Sequence, residues 1–159
     1  MIRAFLPSDR SAVESLWQDT ENEISAYYHP AWRSYERLEQ LDHVLEQGET
    51  WVYLHQLQVV GFISLVDNEI VCLCVEPEHR GKGIGCTLLN HVRCFNPELT
   101  AVIYESNRQG RHFYDRYGFV TSQRFTRNQD GQALLLMQYQ APFMREATFP
   151  MFELPMQIH

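Results

Sequence analysis

Long apolar runs are missing from this sequence. Its longest, Ile70 to Val75 and Ala133 to Met137, are of strand length, whereas a bilayer-spanning helix needs roughly 18 or more apolar residues. A signal-peptide layout is missing too, because Met1-Ile2-Arg3 runs at once into an amphipathic pattern. Basic residues are scarce, 13 against 20 acidic ones, for a formal net charge of -7. That balance argues against nucleic acid as a main partner, since phosphate binding needs a basic surface. It favours cationic partners such as amines, through long-range steering. No His-x-x-x-His or His-Glu-x-x-His pair occurs, and Cys72, Cys74, Cys86 and Cys94 lack metal-ligand spacing, so no metal is expected. The cysteines call for no disulfide framework and read as reduced thiols of a cytoplasmic protein.

What remains is an ordinary globular composition, 45% hydrophobic and 21% charged over 159 residues, enough for one core without staples. Ile2 to Phe5 reads as a strand. Ser8 or Asp9 then caps a helix with Val13, Leu16 and Trp17 at helical spacing. Leu38, Leu41, Val44 and Leu45 form one face of a second helix that Gly48 ends. Thr50 to His55, Val59 to Val66 and Glu69 to Val75 read as three strands joined by short turns. The third is so nearly continuous in its apolar character that burial on both faces is expected. A helix with Ile84, Leu88, Val92 and Phe95 follows, then a strand over Leu99 to Glu105, a helix over Gln109 to Tyr117, and strands over Phe119 to Arg127 and up to Met137. The order is β-α-α-β-β-β-α-β-α-β-β, an α/β mixed sheet covered by helices. No repeat or linker divides it, so residues 1–141 are expected to form one domain.

One segment carries chemistry. A strand runs through Val75-Glu76-Pro77 into Arg80-Gly81-Lys82-Gly83-Ile84-Gly85, where a helix opens. Glycines let a ligand approach the backbone, and the free N–H groups of a helix's first turn attract an anion. Arg80 and Lys82 add charge for phosphate. Lys82 is followed by Gly83 rather than Ser or Thr, which excludes a P-loop. The glycine spacing is too tight for the dinucleotide-binding fingerprint, and the preceding strands look like hairpins.

This stretch resembles motif A of the GNAT acetyltransferases, Gln/Arg-x-x-Gly-x-Gly/Ala after a strand ending Val-x-Pro. It stands here as Arg80-x-x-Gly83-x-Gly85 after Val75-Glu76-Pro77. Asn107 with Phe113-Tyr114-Asp115-Arg116-Tyr117-Gly118-Phe119 resembles the family's motif B. The resemblance covers about residues 1 to 140, and within the family it is greatest to small bacterial acetyltransferases of protein amines. It implies the GNAT fold, acetyl-CoA as co-substrate and an amine as acceptor. By matched position, the backbone of Leu73, Cys74 and Val75 would pair with the pantetheine amides, as an added strand does. Arg80, Gly81, Lys82, Gly83, Ile84, Gly85 and Cys86 would hold the diphosphate. Asn107 would bond the cofactor arm beside Phe113, and Tyr114 would protonate the departing thiolate. The alternative reading of Tyr114 is a core aromatic beside Phe113 and Tyr117.

An ammonium must lose a proton before it attacks. Glu69, six residues before Val75, resembles the strand glutamate that some histone acetyltransferases use as base, and otherwise reads as a solvated turn residue. Other members place a glutamate five residues before the motif-B asparagine, where this chain has Val102. Glu105 ranks below Glu69. Neither Cys72 nor Cys74 has a histidine placed to activate it, which favours direct transfer in a ternary complex over a covalent route. His79 reads as an exposed loop residue. The aromatic and acidic segment from Asp19 to Tyr35, with Tyr27, Tyr28 and Trp32, suits a cationic acceptor or else packs the second helix. The chemistry leaves open a protein lysine or N-terminus, a small amine such as an antibiotic or polyamine, and a non-catalytic acyl-CoA-binding module. Residues 142–159 carry Phe143, Phe149, Met151, Phe152 and Leu154, too apolar for a solvated tail. They are expected to dock on their own domain or on a second copy, giving a homodimer.

Overall fold

In a computed structural model of the chain, residues 1–24, 34–127 and 131–141 are described. Tyr27, Tyr28, Trp32 and the tail from Pro142 lie outside them. The strands are β1 (Ile2–Ala4), β2 (Glu49–His55), β3 (Gln58–Val66), β4 (Glu69–Val75), β5 (Thr100–Tyr104), β6 (Phe119–Thr126) and β7 (Ala133–Tyr139). The helices are α1 (Arg10–Ile24), α2 (Ser34–Gln47), α3 (Ile84–Arg93) and α4 (Arg108–Tyr117). This is the order that the apolar periodicity predicts. No helix among the described residues is long and apolar enough to cross a membrane.

All seven strands form one sheet in the order β1-β2-β3-β4-β5-β7-β6. Every pairing is antiparallel except β4 with β5. Helices cover both faces. On one, α3 and α4 bury Leu88, Leu89, Val92 and Tyr114 against Ile63, Leu65, Ile70, Phe119 and Met137. On the other, α1 and α2 bury Val13, Leu16, Trp17 and Leu41 against Val52, Phe62 and Cys74. Phe62 is wholly inaccessible, a side chain whose burial contributes about 1.5–3 kcal/mol.

The start of α1 is anchored by charge. Asp9 ends a 3₁₀ turn over Pro7–Asp9. Its carboxylate accepts the Leu6 N–H at 2.8 Å and two Arg3 N–H bonds at 2.7 and 3.0 Å. The Arg3 guanidinium holds the Asp9 carboxyl below the usual range against the opposing effect of burial.

β4 departs from its expectation of burial on both faces. Val71 is an extra residue, since Ser64 faces Cys72 while Leu65 faces Ile70. This bulge bends and twists the strand. Ile70, Leu73 and Val75 turn to the α3 side and Cys72 and Cys74 to the α1 side, yet Val71 is exposed and Leu73 and Val75 are only half-buried. The reason is that β5 pairs with β4 only at Glu69↔Thr100 and Ile70↔Ala101. Beyond that point β4 follows β3 as far as Gly61↔Val75, and β5 follows β7 as far as Tyr104↔Leu134. The sheet splits between them.

Candidate active site

The split opens a cleft of about 860 Å³ lined on one wall by Ile70 to Val75 and on the other by Ala101 to Tyr104. Glu76 N–H donates to Val60 O, so along β4 the amides of Glu76, Cys74 and Cys72 face β3. By alternation those of Leu73 and Val75 face the gap where β5 has left. The Val75 carbonyl accepts a bond from Arg80 Nε at 3.0 Å. The remaining groups on that edge form a strand-like rail for a ligand carrying amides.

One end of the cleft is the loop into α3, where His79, Arg80, Gly81, Gly83, Ile84, Gly85 and Cys86 all line the wall. Gly81 and Gly83 have φ of +76° and +82°, which L side chains adopt at a cost, and a Cβ on either would meet nothing within 4 Å. Gly83 caps α3 without a side chain. The first bond into the helix is Thr87 N–H to Gly83 O at 2.9 Å, which leaves the amides of Ile84, Gly85 and Cys86 without intrahelical acceptors. Gly85 packs so closely on Phe113 that a Cβ there would lie 3.1 Å from the ring, which sets α4 beside α3. Two expectations change here. Lys82 does not line the cleft. Arg80 is not a free cation, because its guanidinium donates to both Glu23 oxygens at 2.6 and 2.8 Å. His79 also differs from its expected exposure. It lines the cleft, lies 5.1 Å from the His55 ring and places Nδ1 3.3 Å from Glu76 Oε2.

α4 supplies the other residues. Asn107 Oδ1 accepts the Gly110 N–H at 3.0 Å and so caps the helix, leaving its Nδ2 amide as the donor it can offer a ligand in the cleft. Tyr114 is buried between Phe113 and Phe119, with ring centroids at 5.3 and 4.9 Å, and lines the cleft. Burial, and then the nearby Cys74 and Cys72 sulfurs, raise its phenol above the ordinary range, so the hydroxyl stays protonated. Cys74 is no nucleophile at neutral pH, since burial pushes its thiol up to about 12.

Among the carboxylates, Glu69 begins β4, where β5 is still paired. It is exposed and does not line the cleft. Counting residues back from Val75 places Glu69 on the right strand, but on the closed side of the fork. Glu105 is engaged by Arg124 at 2.7 and 3.1 Å, which lowers its carboxyl, and it too is absent from the cleft walls. The acidic residues that do line it come from α1, Glu21 and Glu23. Glu21 is buried and Glu23 is the partner of Arg80. The sequence contained a signal for Glu21, which falls on the stripe of Val13, Leu16 and Trp17 where an apolar residue belongs. Among the described residues no group of three His, Cys, Asp or Glu side chains is placed to hold a metal.

Comparison with known proteins identifies the family. The profile of the family described as acetyltransferase (GNAT) domain matches residues 46–121. The chain is similar to peptidyl-lysine N-acetyltransferase YjaB of Salmonella typhimurium, at 30% identity over 69% of this chain and 76% of that protein. It is 35% identical to the YjaB of Escherichia coli over 50% of this chain, a match that spans about half the length of that protein, 55%. The solution structure of apo YjaB from Escherichia coli superposes with a TM-score of 0.74 and 25% identity, covering 87% of this chain and 96% of that one. A putative streptothricin acetyltransferase from Bacillus anthracis, solved in complex with acetyl coenzyme A, shares the fold with a TM-score of 0.56 and 18% identity over 60% of this chain and 63% of that one.

Proposed function

The chain belongs to the GNAT superfamily of N-acetyltransferases, and from that premise we propose that it moves the acetyl group of acetyl-CoA onto a primary amine of a protein, a lysine side chain or an N-terminus. Transfer is direct, with both substrates in the cleft. The observation that carries this reading is the fork between β4 and β5. It puts an open strand edge, a helix N-terminus with no side-chain cap and a buried protonated tyrosine along one cavity. The similarity to peptidyl-lysine N-acetyltransferases supports a protein amine as acceptor.

The donor set fits acetyl-CoA. The amides of Ile84 to Cys86 and the side-chain-free surface at Gly81 and Gly83 suit a diphosphate. The Leu73 and Val75 amides and Asn107 Nδ2 suit the amides of a pantetheine arm, and Phe113 lines the same cleft. When bound, acetyl-CoA supplies an activated thioester. Tyr114 donates a hydrogen bond toward the position where negative charge develops on sulfur. A phenol raised above its ordinary value is a weaker acid than a thiol of about 8.5. Tyr114 therefore stabilises the developing thiolate, and regains from the acceptor nitrogen any proton it passes on. The closed, apolar surround of Tyr114 strengthens that bond.

Calorimetry with acetyl-CoA, followed by mass spectrometry of a blocked single-lysine peptide, tests the assignment. Binding with transfer to the peptide is the expected result. Transfer to a polyamine or aminoglycoside alone would replace the protein acceptor with a small amine. Binding without transfer to any amine would leave an acyl-CoA-binding module.

A further inference from the structure

Positive charge on the cleft wall is scarce and sits in two places. Among the described residues the carboxylates and guanidiniums of the wall are Glu21, Glu23, Arg80 and Arg116. Arg80 is taken up by both oxygens of Glu23, and Lys82 lies outside the wall. Arg116, on α4, is exposed and makes no hydrogen bond or ion pair among the described residues. It is the guanidinium of the wall left open to a ligand. Arginine suits a phosphate above other anions it could meet, because its planar fork makes two parallel N–H bonds to the oxygens.

Two contacts fix where Arg116 stands. A Cβ on Gly85, in the first turn of α3, would lie 3.1 Å from the Phe113 ring, and Tyr117 Oη donates to Asn90 Oδ1 at 2.6 Å. α4 therefore runs beside α3 from that first turn onward, and Arg116 falls between the two contacts. Asn107, Phe113 and Arg116 all line the wall, in that order along the helix. At about 1.5 Å per residue, Phe113 stands about 9 Å beyond Asn107 and Arg116 about 4.5 Å further. On the acetyl-CoA reading above, Asn107 serves the pantetheine arm and Phe113 marks the level of the diphosphate amides. Arg116 continues the same line past the diphosphate, on the side where the ribose of the cofactor leaves it.

We propose that Arg116 holds the 3′-phosphate on the ribose of coenzyme A, so that this chain selects the phosphorylated cofactor over dephospho-coenzyme A. This rests on the acetyl-CoA reading above. A phosphomonoester carries a charge of about -1.5 to -2 at pH 7 and three strong acceptor oxygens. The diphosphate finds its donors in the loop amides, but a second anionic group on a chain of formal net charge -7 needs a local cation. Arg116 supplies it without first breaking an ion pair, as Arg80 would have to.

The test is calorimetry of coenzyme A and dephospho-coenzyme A on wild type, Arg116→Gln, Arg116→Lys and Arg108→Gln. Arg108 is a second exposed cation of α4 that does not line the cleft, so its loss removes the same charge from the same helix. Wild type should bind coenzyme A about tenfold more tightly than the dephosphorylated form, as a charge-assisted hydrogen bond predicts. Arg116→Gln should weaken coenzyme A by a similar factor, leave dephospho-coenzyme A nearly unchanged and so abolish the preference. Arg116→Lys should keep part of it, since lysine offers a point charge without the fork. Arg108→Gln should keep all of it. A wild type without the preference, an Arg116→Gln protein that retains it, or equal losses on both ligands would overturn the assignment. So would an equal loss of preference in Arg108→Gln, which would mean long-range charge rather than contact. A wild type that binds neither ligand would instead overturn the acetyl-CoA reading itself, and the role of Arg116 with it.

Discussion

Glu23 and Arg80, 57 residues apart in sequence, are joined by two hydrogen bonds of 2.6 and 2.8 Å where α1 meets the loop into α3. The same Arg80 holds the Val75 carbonyl at 3.0 Å, so one side chain ties the end of β4, the loop and the far helix together. Each partner shifts the other's titration in the direction that favours charge, Glu23 downward and Arg80 upward. Both are more than a third exposed, and exposed pairs contribute at most about 1 kcal/mol. The pair therefore matters more for electrostatics at the loop than for stability. With Glu23 present, the Arg80 charge that a diphosphate would feel is largely neutralised. Glu23→Gln should tighten CoA binding by about three- to tenfold at low salt, with a smaller gain at 0.5 M salt, where screening is nearly complete. Calorimetry at the two ionic strengths measures this, and weaker binding by the variant would mean that the tie itself organises the loop.

Tyr114→Phe removes one oxygen and leaves the ring between Phe113 and Phe119. Turnover should fall about 10²-fold, within the usual range for a positioned acid, with CoA affinity unchanged. The sign of its pH dependence follows from its raised value. The protonated donor persists to higher pH than in an ordinary tyrosine, so wild-type activity should show no tyrosine ionisation below about pH 10. Stability follows the same linkage. Whatever Tyr114 contributes is fully present below the unfolded phenol's value near 10 and is lost as pH rises toward the folded one. The stability gap between wild type and Tyr114→Phe should therefore narrow only above about pH 10. A gap that closes at neutral pH would assign the titration to another group.

Asp9 titrates in the opposite sense. Its carboxyl is lowered by Arg3 and by the Leu6 N–H, so its contribution is present above the unfolded carboxyl's value near 3.9 and disappears as pH falls through the folded one. Asp9→Asn should cost about 1.5–3 kcal/mol at pH 7, the range for hydrogen bonds to charged groups. The cost should hold constant from pH 5 to 8 and shrink below about pH 4. Urea unfolding of both proteins across this range is the measurement.

The element order was legible because helices and strands here obey their periods. Leu41 and Val44 in α2, and Leu88 and Val92 in α3, are buried as their spacing requires. The glycine loop was legible because its turn is local, with Gly81 and Gly83 at positive φ. The fork was not. The run Ile70-Val-Cys-Leu-Cys-Val75 is uniform in apolar character, and nothing in it marks Val71 as the residue that slips out of register. Where β4 parts from β5 depends on β3 and β7, each holding its own neighbour. A glutamate placed by counting along the strand therefore lands on the closed side of the fork at Glu69. Glu21 was visible as a charge on an apolar stripe, but only the fold shows that the stripe borders the cleft.

The last prediction separates backbone strain from ligand contact at Gly83. Its φ of +82° is matched by Gly131, at +71°, and both have open space where a Cβ would project. Gly83 lines the cleft at the cap of α3, whereas Gly131 precedes β7 and takes no part in the cleft walls. Alanine at either position meets the same left-handed penalty of about 1–2 kcal/mol, so Gly83→Ala and Gly131→Ala should lose similar stability by thermal or urea unfolding. The cofactor tells them apart. On the proposed reading, a side chain at Gly83 would crowd a diphosphate held at this loop, so CoA affinity should fall about tenfold or more for Gly83→Val and less for Gly83→Ala. At Gly131 it should not change. If Gly131→Ala weakened CoA binding as much as Gly83→Ala, the loss would come from global destabilisation. If Gly83→Val bound CoA like wild type, the loop would no longer be the diphosphate site.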